Sequence, residues 1–351
     1  MKKKRLTWVD VTKGFLMILV VIGHYPGELD FPLAKYIYWF HMPAFFILSG
    51  LFFKPILEKG LMKSTIHKRF MQLIVPYLFF LISITLIRYG IEFGSGNMDL
   101  SWYLNDLWTL VVGGRFIRGA YGVFWFVTTL FFTYIFFLLL TKYLNRTKQF
   151  ITLGVFYVIA LFESIFAMHV IGGKPSEAAQ SIPMIWNIDV ALMAIVYFAI
   201  GYYFKEFWMD VPKRWMVVAL VISVTAVLLD SFHLIDYRLS MKFLRYDHFV
   251  LDLVIPLSFT VLFVGIFQFI TARLSLTWLQ KIEKHSLSIM YLHIFADIIL
   301  NDYFTYGLIG FTAIGLFIPI IVSILIKKLL PNGKILLGGF SPKKKSTLIP
   351  T

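Results

Sequence analysis

The chain has 351 residues, of which 59% are hydrophobic and 18% aromatic, and its formal net charge is +14. A mean hydropathy of +0.79 excludes an ordinary soluble domain. Cysteine is absent, which excludes disulfides, thiolate metal sites and cysteine nucleophiles.

Apolar runs recur along the whole chain, each about 17–25 residues long, the length an α-helix needs to cross the hydrocarbon layer of a membrane. A transmembrane β-barrel would instead show short segments of alternating hydrophobicity. We therefore predict an all-α integral protein of the lipid bilayer, with about ten transmembrane helices in one bundle. The predicted spans are residues 8–25, 36–53, 72–90, 123–141, 149–169, 185–204, 215–232, 248–270, 285–301 and 306–326.

The basic residues are distributed unevenly between the two sides of these spans. If the N-terminus faces the cytosol, both termini are cytosolic, Lys13 lies within the first span, and most other basic residues are cytosolic, as the positive-inside rule requires. The net charge therefore reflects membrane topology, and nucleic-acid binding is not expected. The predicted outer segments hold only Lys35, Arg88, Arg115, Arg118, Lys174, Arg238, Lys242 and Arg245.

The segments outside the spans are short. Residues 1–330 are predicted to form one membrane domain, and the basic residues 331–351 to form a flexible cytosolic tail. The segment from Trp102 to Val112 is predicted to be a helix lying at the membrane interface. The basic cluster at residues 2–5 resembles the start of a signal peptide, but no small-residue cleavage site follows it. We therefore expect the first helix to be retained.

The first span carries three ionisable residues on one face. Helical steps of 100° place Asp10, Lys13, Met17 and His24 along one stripe. Asp10 and His24 lie about 21 Å apart along the axis, so they cannot form a catalytic dyad. Asp10 and Lys13 form either a structural ion pair or part of a site. A neutral His24 imidazole could take a proton from an alcohol near pH 7; the alternative is a packing histidine bonded to a carbonyl.

The second span begins with His41-Met42-Pro43 and ends near Ser49-Gly50. Pro43 fits the first turn of a helix, where its missing N–H has no intrahelical partner. Ser49-Gly50 predicts a close approach of another helix backbone. His41 is a functional candidate because ionisable side chains are costly inside a membrane, but a histidine at the mouth of a span can also be solvated.

Later spans add further polar and aromatic candidates. Glu163 in the fifth span and His293 in the ninth should face the bundle interior, where a structural hydrogen bond explains them as well as catalysis does. Cationic, acidic and aromatic side chains near the outer ends of spans four and six suit a sugar acceptor, although interfacial anchoring explains the tryptophans equally. This predicted acceptor-binding group comprises Arg115, Arg118, Trp125, Trp186 and Asp189.

Several motifs occur in a characteristic order. The first are Asp10-x-x-Lys13-Gly14 with Val20-Val21-Ile22-Gly23-His24, then Phe40-His41-Met42-Pro43 with Ser49-Gly50. Weaker ones follow over most of the chain: Arg69 ahead of Pro76-Tyr77, Trp125-Phe126, Trp186-x-x-Asp189, Gly201-Tyr202, and Ser288 with Leu292-His293. In this order the chain resembles membrane acyltransferase family 3, and within it the sugar O-acetyltransferases of the fucose 4-O-acetylase type.

The resemblance implies transfer of an acyl group, usually acetyl from cytosolic acetyl-CoA, to a carbohydrate hydroxyl. His24 matches the essential histidine of the family, and Asp10, Lys13 and His41 are further catalytic candidates. Lys13 and Arg69 are expected to bind phosphates of the acyl donor. Many members have arginine in place of Lys13, so bidentate contacts are not expected there. Acetyl-CoA is expected as a substrate, with no bound cofactor or metal.

Two alternatives stay open on the sequence alone. A transporter or flippase of a lipid-linked saccharide is compatible with ten spans and intramembrane charges, although no inverted repeat or paired Gly/Pro-broken helices are evident. Succinyl could replace acetyl as the transferred group. The expected location is a bacterial cytoplasmic membrane, and the expected acceptor is a surface polysaccharide or its lipid-linked precursor.

Overall fold

The computed structural model describes residues 6–27, 32–56, 60–246 and 248–340. Within these residues the only β-type pairing is one antiparallel bridge between Ser240 and Arg245, and the chain is otherwise helical or irregular. The all-α prediction is confirmed. The basic cluster at residues 2–5 and the part of the tail from residue 341 lie outside the described residues.

Sixteen α-helices follow one another along the described chain, together with three short 3₁₀ turns and a π-helical turn, Phe166–Ile171, that continues α7. The α-helices are α1 Thr7–Gly23, α2 Leu33–Tyr38, α3 His41–Gly50, α4 Leu61–Gly94, α5 Leu100–Val112, α6 Trp125–Tyr143, α7 Arg146–Ile165, α8 Pro175–Gln180, α9 Val190–Tyr203, α10 Lys205–Met209, α11 Lys213–Ser231, α12 Leu251–Thr271, α13 Thr277–Lys284, α14 Ser286–Asn301, α15 Leu308–Leu329 and α16 Gly333–Leu336.

Seven helical segments of the described chain are long and apolar enough to cross a membrane, as expected of a multi-pass membrane protein. Every predicted span overlaps a helix, but 8–25, 36–53 and 285–301 contain only shorter ones, so the count of ten stays a prediction. The seven segments are Leu61–Gly94, Gly119–Tyr143, Arg146–Ile171, Ile185–Tyr203, Lys213–Ser231, Leu251–Thr271 and Leu308–Leu329.

The second predicted span is not one continuous helix. Helix α2 ends at Tyr38 and α3 begins at His41, with Phe40 between them at φ −142°. Pro43 explains the break: in an unbroken helix its ring would clash with the carbonyl of Trp39, four residues earlier. As predicted, Pro43 lies in the first turn of a helix, and the break places His41 at the start of α3.

Two parts of the chain outside the spans can be compared with their predictions. The expected interfacial segment is a helix, α5, and the Asp99 side chain caps it by accepting a hydrogen bond from Ser101 N at 2.9 Å. Residues 331–340 of the tail contact the helices, and the flexibility of the tail stays a prediction. Helix α16 packs against α4, and Gln72 Nε2 donates to the Phe340 carbonyl at 3.1 Å.

Helix α1 is the central element of the bundle. It packs against α2, α3, α12, α13, α14 and α15, and Val11 and Val21 on it are fully buried. Gly14 permits the contact with α13, because a Cβ there would overlap the Leu279 carbonyl. This packing determines where His24, at the C-terminal end of α1, is held.

A second close contact joins α3 to α9. A Cβ on Gly50 would overlap the Phe198 carbonyl, and a Cβ on Gly201 would overlap the Ile47 carbonyl. The two helices therefore approach each other backbone to backbone at both glycines, which is the role of small residues between membrane helices. The prediction of a close approach at Gly50 is confirmed.

We expect Gly50→Ala to destabilise the protein by about 1–3 kcal/mol, because the added methyl group must push α3 and α9 apart in a packed interior. The measurement is the thermal unfolding midpoint of the detergent-solubilised protein. Gly154→Ala is the matched control, since Gly154 on α7 has no neighbouring atom within 4 Å of an added Cβ; its midpoint should be unchanged or slightly higher. Equal losses in both variants would contradict the close contact.

Candidate active site

A cavity of about 800 Å³ lies beside the C-terminal end of α1. Its lining begins at Met17 and reaches His24, about 10 Å along the helix axis. Residues of α2, α3, α6, α8 and α14, Pro32 before α2, and the loops before α6 and α12 complete the wall. The cavity is large enough for a small organic ligand, and it contains both histidines on which the sequence analysis focused.

The tautomer of His24 is determined by the end of its own helix. Its Nδ1 lies 2.7 Å from the Val20 carbonyl oxygen. A carbonyl can only accept, so Nδ1 carries the proton and donates it, and Nε2 of the neutral ring holds a lone pair. His41 makes the same contact with the Ile37 carbonyl at 2.7 Å. Both imidazoles that line the cavity therefore present Nε2 as a base.

A third histidine with this arrangement packs against His24. His293 Nδ1 lies 2.8 Å from the Ile289 carbonyl oxygen, and the rings of His293 and His24 are 5.1 Å apart between centroids. His293 is fully buried, and its Nε2 has no hydrogen-bond partner among the described residues. It does not line the cavity. The prediction that His293 faces the bundle interior is confirmed, and the structure adds its contact with His24.

Tyr38 connects the histidines of α1 and α3. Its ring centroid is 6.0 Å from that of His24 and 5.1 Å from that of His41. Its hydroxyl donates to the Gly23 carbonyl at 3.1 Å, which ties the end of α2 to the end of α1. The break between α2 and α3 therefore brings His24, Tyr38 and His41 to one side of the cavity.

Five basic residues line the cavity, and no acidic residue lines it within the described chain. Three of the five share acidic neighbours that do not line the cavity themselves. Lys35 Nζ lies 2.6 Å from Asp230 Oδ1 and 3.2 Å from Asp236 Oδ1. Arg238 and Arg245 also pair with Asp236, at 3.0 and 3.9 Å. These pairs partly neutralise one side of the wall.

The other two basic residues, Arg118 and Lys242, have no carboxylate partner among the described residues. Arg118 donates to Gln180 Oε1 at 2.8 Å. Lys242 Nζ donates to the carbonyls of Ile117 and Gly122 at 2.8 and 2.9 Å. Burial and the nearby positive charge of Arg118 lower the pKa of Lys242 to about 7.

Arg115 and Asp189, both predicted to bind the acceptor, instead form a buried ion pair outside the cavity lining. Arg115 is fully buried, and its guanidinium donates to the Asp189 carboxylate, to Asn187 Oδ1 and to the Ala179 carbonyl. Glu163 lies within interaction range of both Arg115 and Asp189. Both partners are enclosed by protein and neither lines the cavity, and their acceptor-binding role stays a prediction.

This buried pair is connected to the cavity by two amide side chains. Asn187 Oδ1 accepts from Arg115 N at 2.7 Å, and its Nδ2 donates to the Lys242 carbonyl at 3.2 Å. Gln180 Nε2 donates to the Arg115 carbonyl at 3.0 Å, while its Oε1 accepts from Arg118. Arg115 therefore positions the backbone or side chain of both basic residues that lack a carboxylate partner.

The remaining acceptor candidates separate in the structure. Trp125 and Arg118 line the cavity, whereas Trp186 does not. Trp186 Nε1 donates to the Val111 carbonyl at 3.1 Å, and its ring lines a second, apolar cavity of about 400 Å³ between α4 and α5. Of the predicted acceptor-binding residues, the structure therefore brings two to His24.

The expected donor-binding residues also lie outside this cavity. Lys13 Nζ is 5.5 Å from the ring centroid of Phe52. The Arg69 guanidinium stacks on Tyr134 at 4.3 Å. Asp10 is buried near the start of α1, on the stripe that leads to His24 four turns later. The donor-binding and catalytic roles of these three residues stay predictions.

The sequence analysis did not single out Lys35, Tyr38, Arg238, Lys242 or Arg245. A signal for the basic residues was nevertheless present. They are exceptions to the positive-inside rule, and five of the eight basic residues in the predicted outer segments line the cavity: Lys35, Arg118, Arg238, Lys242 and Arg245. The positive-inside rule expects few basic residues on the outer side, so those that occur there were the sequence signal for the cavity wall.

The comparison with protein families agrees with this arrangement. The family described as "Acyltransferase domain" (acyltransferase family 3) matches residues 6–328, a range that includes every residue lining the cavity. The chain belongs to this family of acyltransferases. The catalytic candidates Asp10, Lys13, His24 and His41 all lie inside the matched range.

Two curated relatives of this acyltransferase are each named "Nodulation protein NolL". The protein from Mesorhizobium japonicum is 32% identical over 146 residues, which is 39% of this chain and 36% of that protein. The protein from Sinorhizobium fredii is 37% identical over 79 residues, which is 20% of this chain and 22% of that protein. The chain therefore matches about a third or less of each relative's length. No solved structure matches it significantly.

We expect Arg115→Gln to destabilise the protein by about 3–5 kcal/mol, because Asp189 is left as a buried charge without its partner. The double variant Arg115→Met with Asp189→Leu should lose less, since it removes both charges together. Arg118→Gln is the control: this side chain is exposed, and its loss should change stability by about 0.5 kcal/mol at most. Thermal unfolding midpoints measure all three, and an unchanged midpoint for Arg115→Gln would contradict a structural role.

Proposed function

We propose that this protein is a membrane O-acyltransferase that transfers acetyl from acetyl-CoA to a carbohydrate hydroxyl, with His24 as the general base. The main support is the geometry of His24. Its Nδ1 proton is held by the Val20 carbonyl at 2.7 Å, so Nε2 is the basic atom, and the residue lines a cavity of about 800 Å³. A neutral imidazole in this state is suited to take a proton from an alcohol.

The proposed reaction is direct transfer, with an acyl-enzyme on histidine, serine or another oxygen nucleophile as the alternative. His24 Nε2 takes the hydroxyl proton as the acceptor oxygen attacks the thioester carbonyl. The new C–O bond forms, the C–S bond breaks, and the leaving CoA thiolate takes the proton from the imidazolium. The hydrogen bond from Nδ1 to Val20 supports this cycle, because it holds the ring in place while Nε2 gains and loses the proton. His41, with the same tautomer, is the second candidate for contact with the reacting hydroxyl.

The cavity wall supports a carbohydrate as the acceptor. The aromatic rings of Tyr38, Trp125 and Phe126 line it together with the basic residues. Aromatic faces suit the apolar faces of sugar rings, and the polar groups suit their hydroxyls. In the proposed topology this end of the bundle is the outer side of a bacterial cytoplasmic membrane, where the acceptor is a surface polysaccharide or its lipid-linked precursor.

The position of Lys13 supports donor entry from the opposite end. Met17 is the residue of the cavity lining nearest the N-terminal end of α1, and Lys13 lies about 6 Å further along the same stripe. The phosphates of CoA would bind Lys13 and Arg69 as point charge and guanidinium, and the acyl group would extend along α1 toward His24. This arrangement keeps the donor and acceptor on opposite sides of the reacting atoms.

We expect His24→Ala to abolish O-acetylation, with a loss of about 100-fold or more because general-base catalysis is removed. NMR of surface polysaccharide measures this in cells with the gene deleted, restored, or restored as the variant. His67→Ala is the matched control, since His67 is an exposed histidine on α4 outside the cavity lining. O-acetyl signals should disappear in the deletion and in His24→Ala, and return with wild type and His67→Ala.

Normal O-acetylation in His24→Ala, with the variant present in the membrane, would contradict the proposed role of His24. Unchanged acetylation in the deletion, with altered amounts of exported polymer, would favour the transporter. Succinyl signals that depend on His24 would keep the reaction class and change the donor.

A further inference from the structure

The cavity beside His24 contains positive charge that the described protein does not neutralise. Lys35, Arg238 and Arg245 share the carboxylates of Asp230 and Asp236. Arg118 and Lys242, which complete the basic lining, have no carboxylate partner among the described residues. Arg118 donates to an amide oxygen, and Lys242 donates to two carbonyls and lies 5.1 Å from the ring centroid of Phe243. These two side chains form what we call the cation pair.

The cation pair has more N–H donors than it uses in hydrogen bonds to the described residues. An ammonium has three N–H donors, and Lys242 uses two of them on the carbonyls of Ile117 and Gly122. A guanidinium has five, and Arg118 donates to Gln180 through Nη2 alone among the described residues. Lys242 is only 8% exposed, so its remaining donor is directed to a neighbour or to the cavity it lines, rather than to bulk solvent.

Arg118 and Lys242 are close enough for the charge of one to act on the other. Gln180 fixes the Arg118 side chain, and Asn187 fixes the Lys242 backbone, both through contacts with the buried Arg115. Burial and the charge of Arg118 both lower the pKa of Lys242 and so disfavour its ammonium form, whereas a nearby anion would favour that form. A bound carboxylate or phosphate would supply that charge and accept hydrogen bonds from both groups, which are strong when both partners are charged.

The position of the cation pair favours the acceptor over the donor as the source of the anion. Lys13, the proposed partner of the donor phosphates, lies about 17 Å from His24 along α1 and does not line the cavity. The cation pair lies in the loops before α6 and α12, where it shares the lining with His24, Tyr38 and Trp125. A sugar stacked on these rings would bring its own charged substituent to the pair.

We propose that the carbohydrate acceptor is anionic, and that its carboxylate or phosphate binds between the Arg118 guanidinium and the Lys242 ammonium. The inference rests on the proposed function, since it names the class of acceptor for the same cavity. It makes the cation pair the specificity determinant of the reaction, while His24 remains the catalytic base.

The test is a binding titration on the purified full chain in phosphatidylcholine nanodiscs, followed by tryptophan fluorescence because Trp125 lines the cavity. The probes are glucuronate, glucose 1-phosphate and uncharged glucose. In the wild type at least one charged sugar should bind about tenfold more tightly than glucose, since it gains charge-assisted hydrogen bonds. Tighter binding of glucuronate alone would indicate a carboxylate on the acceptor, and tighter binding of glucose 1-phosphate alone would indicate a phosphate. Tighter binding of both would indicate a site that recognises negative charge of either kind.

Arg118→Gln and Lys242→Met should each reduce this preference to less than about threefold, because each removes one charged donor. Arg273→Gln is the control: it removes an exposed guanidinium that stacks on Phe269 at 4.0 Å outside the cavity, and the preference should persist. Arg118 is exposed, so its variant decides the result even if Lys242→Met fails to fold. Equal binding of glucose and both charged sugars, or a preference that survives Arg118→Gln, would overturn the proposal.

The binding test is independent of turnover, so it separates this inference from the proposed function. His24→Ala should keep the preference for a charged sugar while losing O-acetylation. A preference without His24-dependent acetylation would leave the anion site in place and reject the acyltransferase mechanism. His24-dependent acetylation without any preference for a charged sugar would support the acyltransferase mechanism and reject the anion site.

Discussion

The arrangement of the cavity beside His24 depends on one buried interaction, the ion pair between Arg115 and Asp189. A guanidinium enclosed by protein is stable only when its donors are satisfied, and Arg115 satisfies them with the Asp189 carboxylate, Asn187 and the Ala179 carbonyl. Asn187 and Gln180 extend these contacts to the loops that carry Lys242 and Arg118. The pair therefore acts as a positioning element: it orders two irregular segments whose side chains form one wall of the cavity.

The histidines at and beside the cavity are ordered by the helix backbone. His24, His41 and His293 each place Nδ1 at 2.7 to 2.8 Å from the carbonyl oxygen four residues earlier, so regular helical geometry alone selects the tautomer with a basic Nε2. The same contact would occur in a purely structural histidine. What distinguishes His24 and His41 is that both line a cavity, because the chain breaks between α2 and α3 and turns His41 toward the end of α1.

Several residues of the cavity were predictable from the sequence. The sequence did not show which polar residues line the cavity and which pair with other segments of the chain. His24 and His41 could be recognised because imidazoles are costly in apolar spans, and both line the cavity. Arg115 and Asp189 looked like ligand-binding residues for the same reason. Pattern alone cannot tell a polar group that contacts a ligand from one that pairs with another segment of the chain, since Arg115 and Asp189 are 74 residues apart. Lys242 was treated only as one of the basic residues of the predicted outer segments. Its partners, the carbonyls of Ile117 and Gly122, are backbone groups that no sequence motif identifies.

The sequence by itself determined the all-α membrane architecture, the close contact at Gly50 and the candidacy of His24, because hydropathy, small residues and intramembrane charge act locally along each helix. It also contained the motifs of the acyltransferase family, which the match over residues 6–328 confirms. Only the tertiary structure decided which polar residues meet. Cavities form where distant segments pack, and the free energy of burying a charge depends on partners that the fold supplies from elsewhere in the chain.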